Sequence, residues 1–566
     1  MQELKTFGEL EYTRPDFEEI KKFYIALNER LKSAKSYADV QACIKDEEDY
    51  SARVSTMTTI ASIRHTVDTT DKFYEEEDRF INNAYPEIMP FQQAYELSLL
   101  SSPFKAEIDK DYGEFFLKKL QLSVDSFSEK NISLMQQENE LCDQYQKLMA
   151  SCEIEFNGEK CNLYGLMKYF SADDRTTRKA AWDKYTEFFK ANEKEMGEIF
   201  DALVKVRHQM GVNMGFENFV PLGYMLQGRL DYDENMVASF REQVKEVLVP
   251  FCEKIYKAQA KRIGVDKIKC YDEKYIFTDG NAVPIGDRAY LVEQAKKMYH
   301  GMSKETAEFI DFMLSHELMD LDNKPGKAAT GYMTSLADYK APFVFSCFNG
   351  TTGDVDVLTH EMGHAFAGYM AMRSQSMSQW SITTDIAEIH SMSMEQFAYP
   401  YAELFFGDRA DKYRFQHLQE ALTFVPFGVA VDEFQHIVYK NPDLTPEERT
   451  EKWRELEQKY MPWRDYGDNE FFAAGNWWYH KIHIFLYPFY YINYTLTSMG
   501  AMEFKKKMAE DKKSCWKDYM TLCSLGGSLS YLDTLRAANV SVPFEKGSVK
   551  KATEYAMKIL EKQMEE

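Results

Sequence analysis

Apolar residues return every three or four positions along most of the chain, and only 27 Gly and 16 Pro interrupt its 566 residues. That spacing predicts long helices joined by short loops. The segment from Arg178 to Gly211 is the plainest case. Ala180, Ala181, Tyr185, Phe188 and Phe189, then Met196, Ile199, Phe200, Leu203 and Val204, form one stripe that a helical body must bury. Strand signals are few. Ala341 to Asn349 is rich in Phe and Val and is bounded by Pro342, Gly350 and Gly353. Glu153 to Phe156 alternates and ends in the turn pair Asn157-Gly158. A lobe boundary is expected there, and no Pro- or Ser/Gly-rich tether divides the chain.

Charge narrows the partners. Lys and Arg total 68 against 91 Asp and Glu, a net −23, and no basic stripe is present, so a phosphate backbone would be repelled and no nucleic-acid partner is expected. The acidic runs Asp46–Asp49 and Glu75–Asp78 read as solvated faces. Nine cysteines are scattered without a C-x-x-C pair, which fits a reducing compartment and predicts a cytoplasmic protein. The first residues lack a basic region followed by an apolar run, and no window holds eighteen uncharged apolar residues, so no membrane association is expected.

The chemistry concentrates in Asp354-Val-Asp-Val-Leu-Thr-His360-Glu361-Met-Gly-His364. Positions i and i+4 share a helical face, so His360 and His364 can aim imidazole nitrogens at one tetrahedral ion. Glu361, beside that face, can reach a water on the ion and serve as general base. A catalytic zinc needs a third protein ligand. The extended metzincin pattern is excluded, because Ala367 and Met370 stand where its glycine and third histidine would be. A carboxylate from a neighbouring helix remains, and the segment Thr384 to Glu395 offers Glu388, with His390 as a local competitor. Asp385 or Glu395 can orient a ligand histidine, and spacing does not choose between them. His316-Glu-Leu-Met-Asp320 imitates the motif but ends in Asp and reads as a surface helix.

His360-Glu-Met-Gly-His364 followed by Asp385-x-x-Glu388-x-x-Ser391-x-x-x-Glu395 resembles the thimet oligopeptidase and oligoendopeptidase F family of zinc peptidases, most closely its Pz-peptidase-like branch. That family places its glutamate ligand at the same distance and a second glutamate seven residues later. The resemblance runs from about Cys161 to Ser541 and includes Asp173-Asp-Arg175 and Gly526-Gly-Ser-Leu. One departure is Ala367, where longer members often carry another histidine. The resemblance implies a mainly α, two-lobed body with a deep central channel and a small β-sheet flanking the zinc helix. It implies an N-terminal helical lobe over 1–160, a catalytic domain over 161–566, one Zn2+ per chain, and short unfolded peptides as substrates.

A second constellation spans Trp477 to Tyr494, where Tyr479, Tyr487, Tyr490, Tyr491 and Tyr494 crowd around His480 and His483. From His483 the steps trace a helical stripe interrupted by Pro488, which must start or kink a helix. On spacing alone an aromatic core ridge is as good a reading. The resemblance implies that a His and Tyr group faces the metal and donates hydrogen bonds to the oxyanion, which selects His483, Tyr491 and Tyr494. Tyr490 ranks below them, since adjacent tyrosines on a helix diverge. The strand Phe343 to Asn349, if its edge is unpaired, would accept a peptide backbone by strand addition, with packing of its Phe side chains as the alternative. The expectation is therefore a zinc oligoendopeptidase with Glu361 as base. The rivals are a zinc exopeptidase of similar build and a non-catalytic peptide-binding protein. Oligomeric state is not legible.

Overall fold

A computed structural model describes residues 4–324, 326–328 and 331–565. Helices account for 73% of the chain, as the spacing predicts. Two units form, each from three separated stretches. Met1–Asp125, Val283–Ala410 and Lys507–Val540 make the first, and Ser126–Ala282, Asp411–Lys506 and Ser541–Glu566 the second. Among the described residues no helix is long and apolar enough to cross a membrane.

Strands are short and few. In the second unit β1 (Ile154–Phe156) and β2 (Glu159–Cys161) pair as the hairpin that Asn157-Gly158 predicts, with φ positive at both turn residues. In the first unit β3 (Met319–Asp320), β4 (Tyr332–Leu336) and β5 (Ala341–Phe345) form a sheet of order β3-β5-β4, with β5 parallel to β3 and antiparallel to β4. The expected strand over Ala341–Asn349 thus begins where the sequence places it and ends earlier, at Phe345. It is central rather than an edge: both of its sides are paired, so β5 has no free edge to offer a peptide.

The first unit opens on helix Phe17–Lys32, whose start is capped by the Asp16 carboxylate accepting from the amides of Glu18 and Glu19. Its Phe17, Ile20, Tyr24, Leu27 and Leu31 face packs with Val40 and Ile44 of helix Tyr37–Val67 and with Leu99 and Ile108. The run Glu75–Asp78 is not wholly a solvated face. Glu77 is buried, accepting from Arg14 Nε at 2.9 Å and from Tyr12 Oη, which gives that carboxylate the partners burial requires. His316–Asp320 is not a helix either. His316 ends helix Lys304–Ser315, and Met319 and Asp320 are β3.

In the second unit the long stripe becomes helix Arg175–Asn213, capped by Asp174 and burying Phe189, Met196, Phe200, Leu203 and Val204. Buried arginines fix its ends. Arg178 shares the fully buried Asp272 carboxylate with Arg175. Arg207 donates to Glu138 at 2.6 Å, to the Tyr439 hydroxyl at 2.8 Å and to the Phe485 carbonyl at 2.7 Å.

Candidate active site

Helix Thr352–Ser374 carries the histidine motif, and helix Thr384–Ala398 carries the glutamate. The turn ahead of the first is closed by the buried Asp354 carboxylate, which accepts from the amides of Asn349 at 2.9 Å and Gly350 at 2.7 Å. One helical turn apart, the His360 and His364 rings lie 5.0 Å from centre to centre. The second helix comes close because the residue just before His364 is glycine. A Cβ on Gly363 would stand 2.7 Å from the Ser391 Cα and 3.1 Å from the His390 carbonyl oxygen.

That approach brings Glu388 Oε2 to 3.2 Å from His360 Nε2 and 3.4 Å from His364 Nε2. All three donor atoms fall within 4.8 Å of one another. A tetrahedral zinc with bonds near 2.1 Å needs its ligand atoms about 3.4 Å apart, so the donor set fits the ion in kind and in spacing.

The supporting bonds separate residues that spacing left equivalent. His360 Nδ1–H donates to Glu395 Oε1 at 2.5 Å, leaving Nε2 as the ligand atom. Asp385 accepts from Thr383 Oγ1 at the start of its own helix. Ser391 Oγ donates to Glu388 Oε2 at 3.2 Å, an i, i+3 contact legible in the spacing once Glu388 is taken as a ligand. Burial works against charge on His360, yet the Glu388 and Glu395 carboxylates outweigh it and hold its pKa well above the ordinary value. Burial likewise raises Glu388, and the two imidazoles reverse the sign, holding that carboxyl below the usual range. His390 is buried and is not a member of this donor group. Its pKa is pushed down to about 3 by burial first and the His364 charge second, so it is neutral. The Tyr519 hydroxyl bonds the His390 carbonyl at 2.9 Å, bracing the glutamate helix.

Glu361 is half-buried. Its Oε1 lies 3.9 Å from where a Cβ on Gly331 would be, so the missing side chain leaves room above that carboxylate just before β4.

The histidine–tyrosine group belongs to the second unit. It is not one helical stripe. Helix Ile482–Leu486 stops, Tyr487 to Tyr491 turn, and helix Ile492–Glu510 follows. On a turn, adjacent tyrosines need not diverge as they would on a helix. The His483 ring centre lies 4.8 Å from that of Tyr491, 5.8 Å from Tyr490 and 5.9 Å from Tyr494. Burial raises the Tyr491 pKa, keeping that phenol a hydrogen-bond donor. Sequence reasoning missed Lys481, whose Nζ sits 4.2 Å from the Tyr491 ring centre.

Known proteins are similar to this chain. The model of the peptidase M3 N-terminal domain matches residues 7–127, and that of peptidase family M3 matches residues 291–553. A solved structure of PZ peptidase A with inhibitor 2 is 42% identical at a TM-score of 0.93, covering 98% of this chain and 99% of that one. The oligoendopeptidase F homolog of Borreliella burgdorferi is 21% identical over 387 residues, 66% of this chain and 63% of that protein. This chain thus spans less than two thirds of that relative's length. The chromosomal oligoendopeptidase F of Lactococcus lactis subsp. cremoris is 21% identical over 442 residues, 72% of this chain and 67% of that one.

Proposed function

The chain belongs to peptidase family M3, and on that premise we propose that it is a zinc oligoendopeptidase cutting internal bonds of short, unfolded peptides. The observation that carries this reading is the meeting of His360 Nε2, His364 Nε2 and Glu388 Oε2. These three would hold one Zn2+ per chain, which when bound supplies Lewis-acid polarisation of the scissile carbonyl and a more acidic water.

Every other part is played by the chain's own groups. Glu395 fixes the His360 ring and Ser391 the Glu388 carboxylate. Glu361 removes the proton of the attacking water and returns it to the departing amine. His483, Tyr490, Tyr491 and Tyr494 donate hydrogen bonds to the developing oxyanion. Along the chain, the proposed division is an N-terminal helical lobe over 1–160 and a catalytic region over 161–566. Nine thiols, none in a disulfide, favour a cytoplasmic setting.

The test uses purified full-length protein and end-blocked peptides read by mass spectrometry. One zinc per chain, internal cleavage, and a Glu361→Gln variant that keeps zinc but loses about 100-fold or more in turnover are expected. Cleavage confined to peptides with a free terminus would show an exopeptidase, and zinc-loaded protein that cuts nothing would show a binding protein.

A further inference from the structure

The turn between helices Ile482–Leu486 and Ile492–Glu510 pivots on Phe489, whose φ of +62° lies in the left-handed region. A bulky side chain there is strained and persists only where its surroundings force it. The forcing is visible. The Phe489 ring is fully buried against Tyr224, His436 and Tyr439, with ring centres 5.5, 4.8 and 5.5 Å away. Gly223 makes the room, since a Cβ there would stand 2.6 Å from the ring.

The backbone is held as firmly. The Phe489 amide donates to Gln435 Oε1 at 3.0 Å, and the Pro488 carbonyl accepts from Gln227 Nε2 at 3.2 Å. Arg229 does most. Its Nη2 donates to the Phe489 carbonyl at 2.5 Å and also to Asn493 Oδ1 at 3.0 Å. One nitrogen therefore pins both ends of the stretch that contains Tyr490 and Tyr491, and Tyr494 follows directly.

Arg229 is itself set in place. It is buried, its guanidinium lies 4.3 Å from the Tyr224 ring centre, and the Tyr224 hydroxyl bonds His436 Nε2 at 3.1 Å. His436 Nδ1–H donates to the Asp432 carbonyl at 2.9 Å, and the Asp432 carboxylate pairs with Arg241 at 2.5 Å. Packing alone does not call for a buried cation on a turn, because an apolar side chain fills such space without the desolvation cost.

We propose that Arg229 is a positioning residue for the peptidase reaction, acting through Tyr490, Tyr491 and Tyr494 by locking the turn that aims their phenols. This rests on the reading that those phenols serve the oxyanion. Lysine at 229 keeps the charge but cannot place one donor between the Phe489 carbonyl and Asn493 with the same reach.

The experiment is a double-mutant cycle on the zinc-loaded full chain, with kcat and KM measured on an end-blocked fluorogenic peptide. Arg229→Lys is expected to lower kcat about tenfold or more, as misplaced donors do, with KM within about threefold and zinc content unchanged. In a Tyr490→Phe/Tyr491→Phe/Tyr494→Phe background the same change should cost under about twofold, because the groups it positions are gone. An equal loss of kcat in both backgrounds, or no loss in the parent, overturns the positioning role. Tyrosine variants that turn over at the parental rate overturn the oxyanion reading instead. Should Arg229→Lys fail to fold, half-buried Gln227→Ala frees the Pro488 carbonyl, and the same cycle run with it separates positioning from packing by the same comparison of kcat.

Discussion

Replacing Gly363 by alanine should cost this protein its metal before it costs its fold. The added Cβ would meet the Ser391 Cα at 2.7 Å, the Met394 Cβ at 2.9 Å and the His390 carbonyl oxygen at 3.1 Å, whereas ordinary contact begins at 3.4 Å. Two of those atoms are backbone and cannot rotate aside, so the glutamate helix must retreat by about 0.7 Å, the difference between 3.4 and 2.7 Å. A metal site tolerates about 0.2 Å. Overpacking of this kind costs about 1–3 kcal/mol, and zinc affinity should fall by about 100-fold, the upper end of what misplaced ligand supports produce. Gly368 on the same helix is the control, because its Cβ would meet only the ends of Met333 and Met372 at 3.5 and 3.6 Å. Gly368→Ala should leave zinc binding intact and stabilise by about 0.5–1 kcal/mol through helix propensity. Competition against a fluorescent zinc chelator, with melts of the zinc-free protein, reads both variants. A Gly363→Ala protein that binds zinc within twofold of the parent and melts with it would mean that the close helix approach does not set the ligand geometry.

Glu395→Gln should weaken zinc by about 10–100-fold in the same competition, since an amide keeps the shape but not the charge that fixes the His360 ring. Lys481→Met should raise stability with a defined pH dependence. Burial pushes the Lys481 pKa from 10.5 down to about 8, so below pH 8 the lysine is charged in both states and its full cost, up to about 3 kcal/mol, is present. Between pH 8 and 10.5 the folded form sheds its proton first and the parent gains stability. The advantage of the methionine variant in thermal melts should therefore be largest at pH 7 and vanish near pH 11, and an advantage that grew with pH would contradict the burial argument.

Periodicity made the helical body legible, because the stripe over Arg178–Gly211 is what a buried helix face must look like. The histidine pair was legible for the same reason, and Glu388 followed from excluding the metzincin pattern and from the family resemblance, which places its glutamate at that distance. The strand was found but its place was not. Composition tells that Ala341–Phe345 is extended, while its central position depends on β3 and β4 pairing from either side. That Glu395 reaches His360 needed the packing of the two helices, which spacing along the chain does not give. Arg229 left no signal at all, since nothing in a sequence announces that residue 229 will meet Phe489.

Neither unit is written as one continuous stretch of chain. As the polypeptide leaves the ribosome, His360, His364 and Glu388 emerge well before Tyr519, whose hydroxyl braces the glutamate helix, and before the rest of Lys507–Val540 that completes their unit. The metal-binding unit is consequently unfinished until residues 507–540 have emerged, and a nascent chain halted around residue 450 would carry every ligand yet lack the brace that steadies one of them.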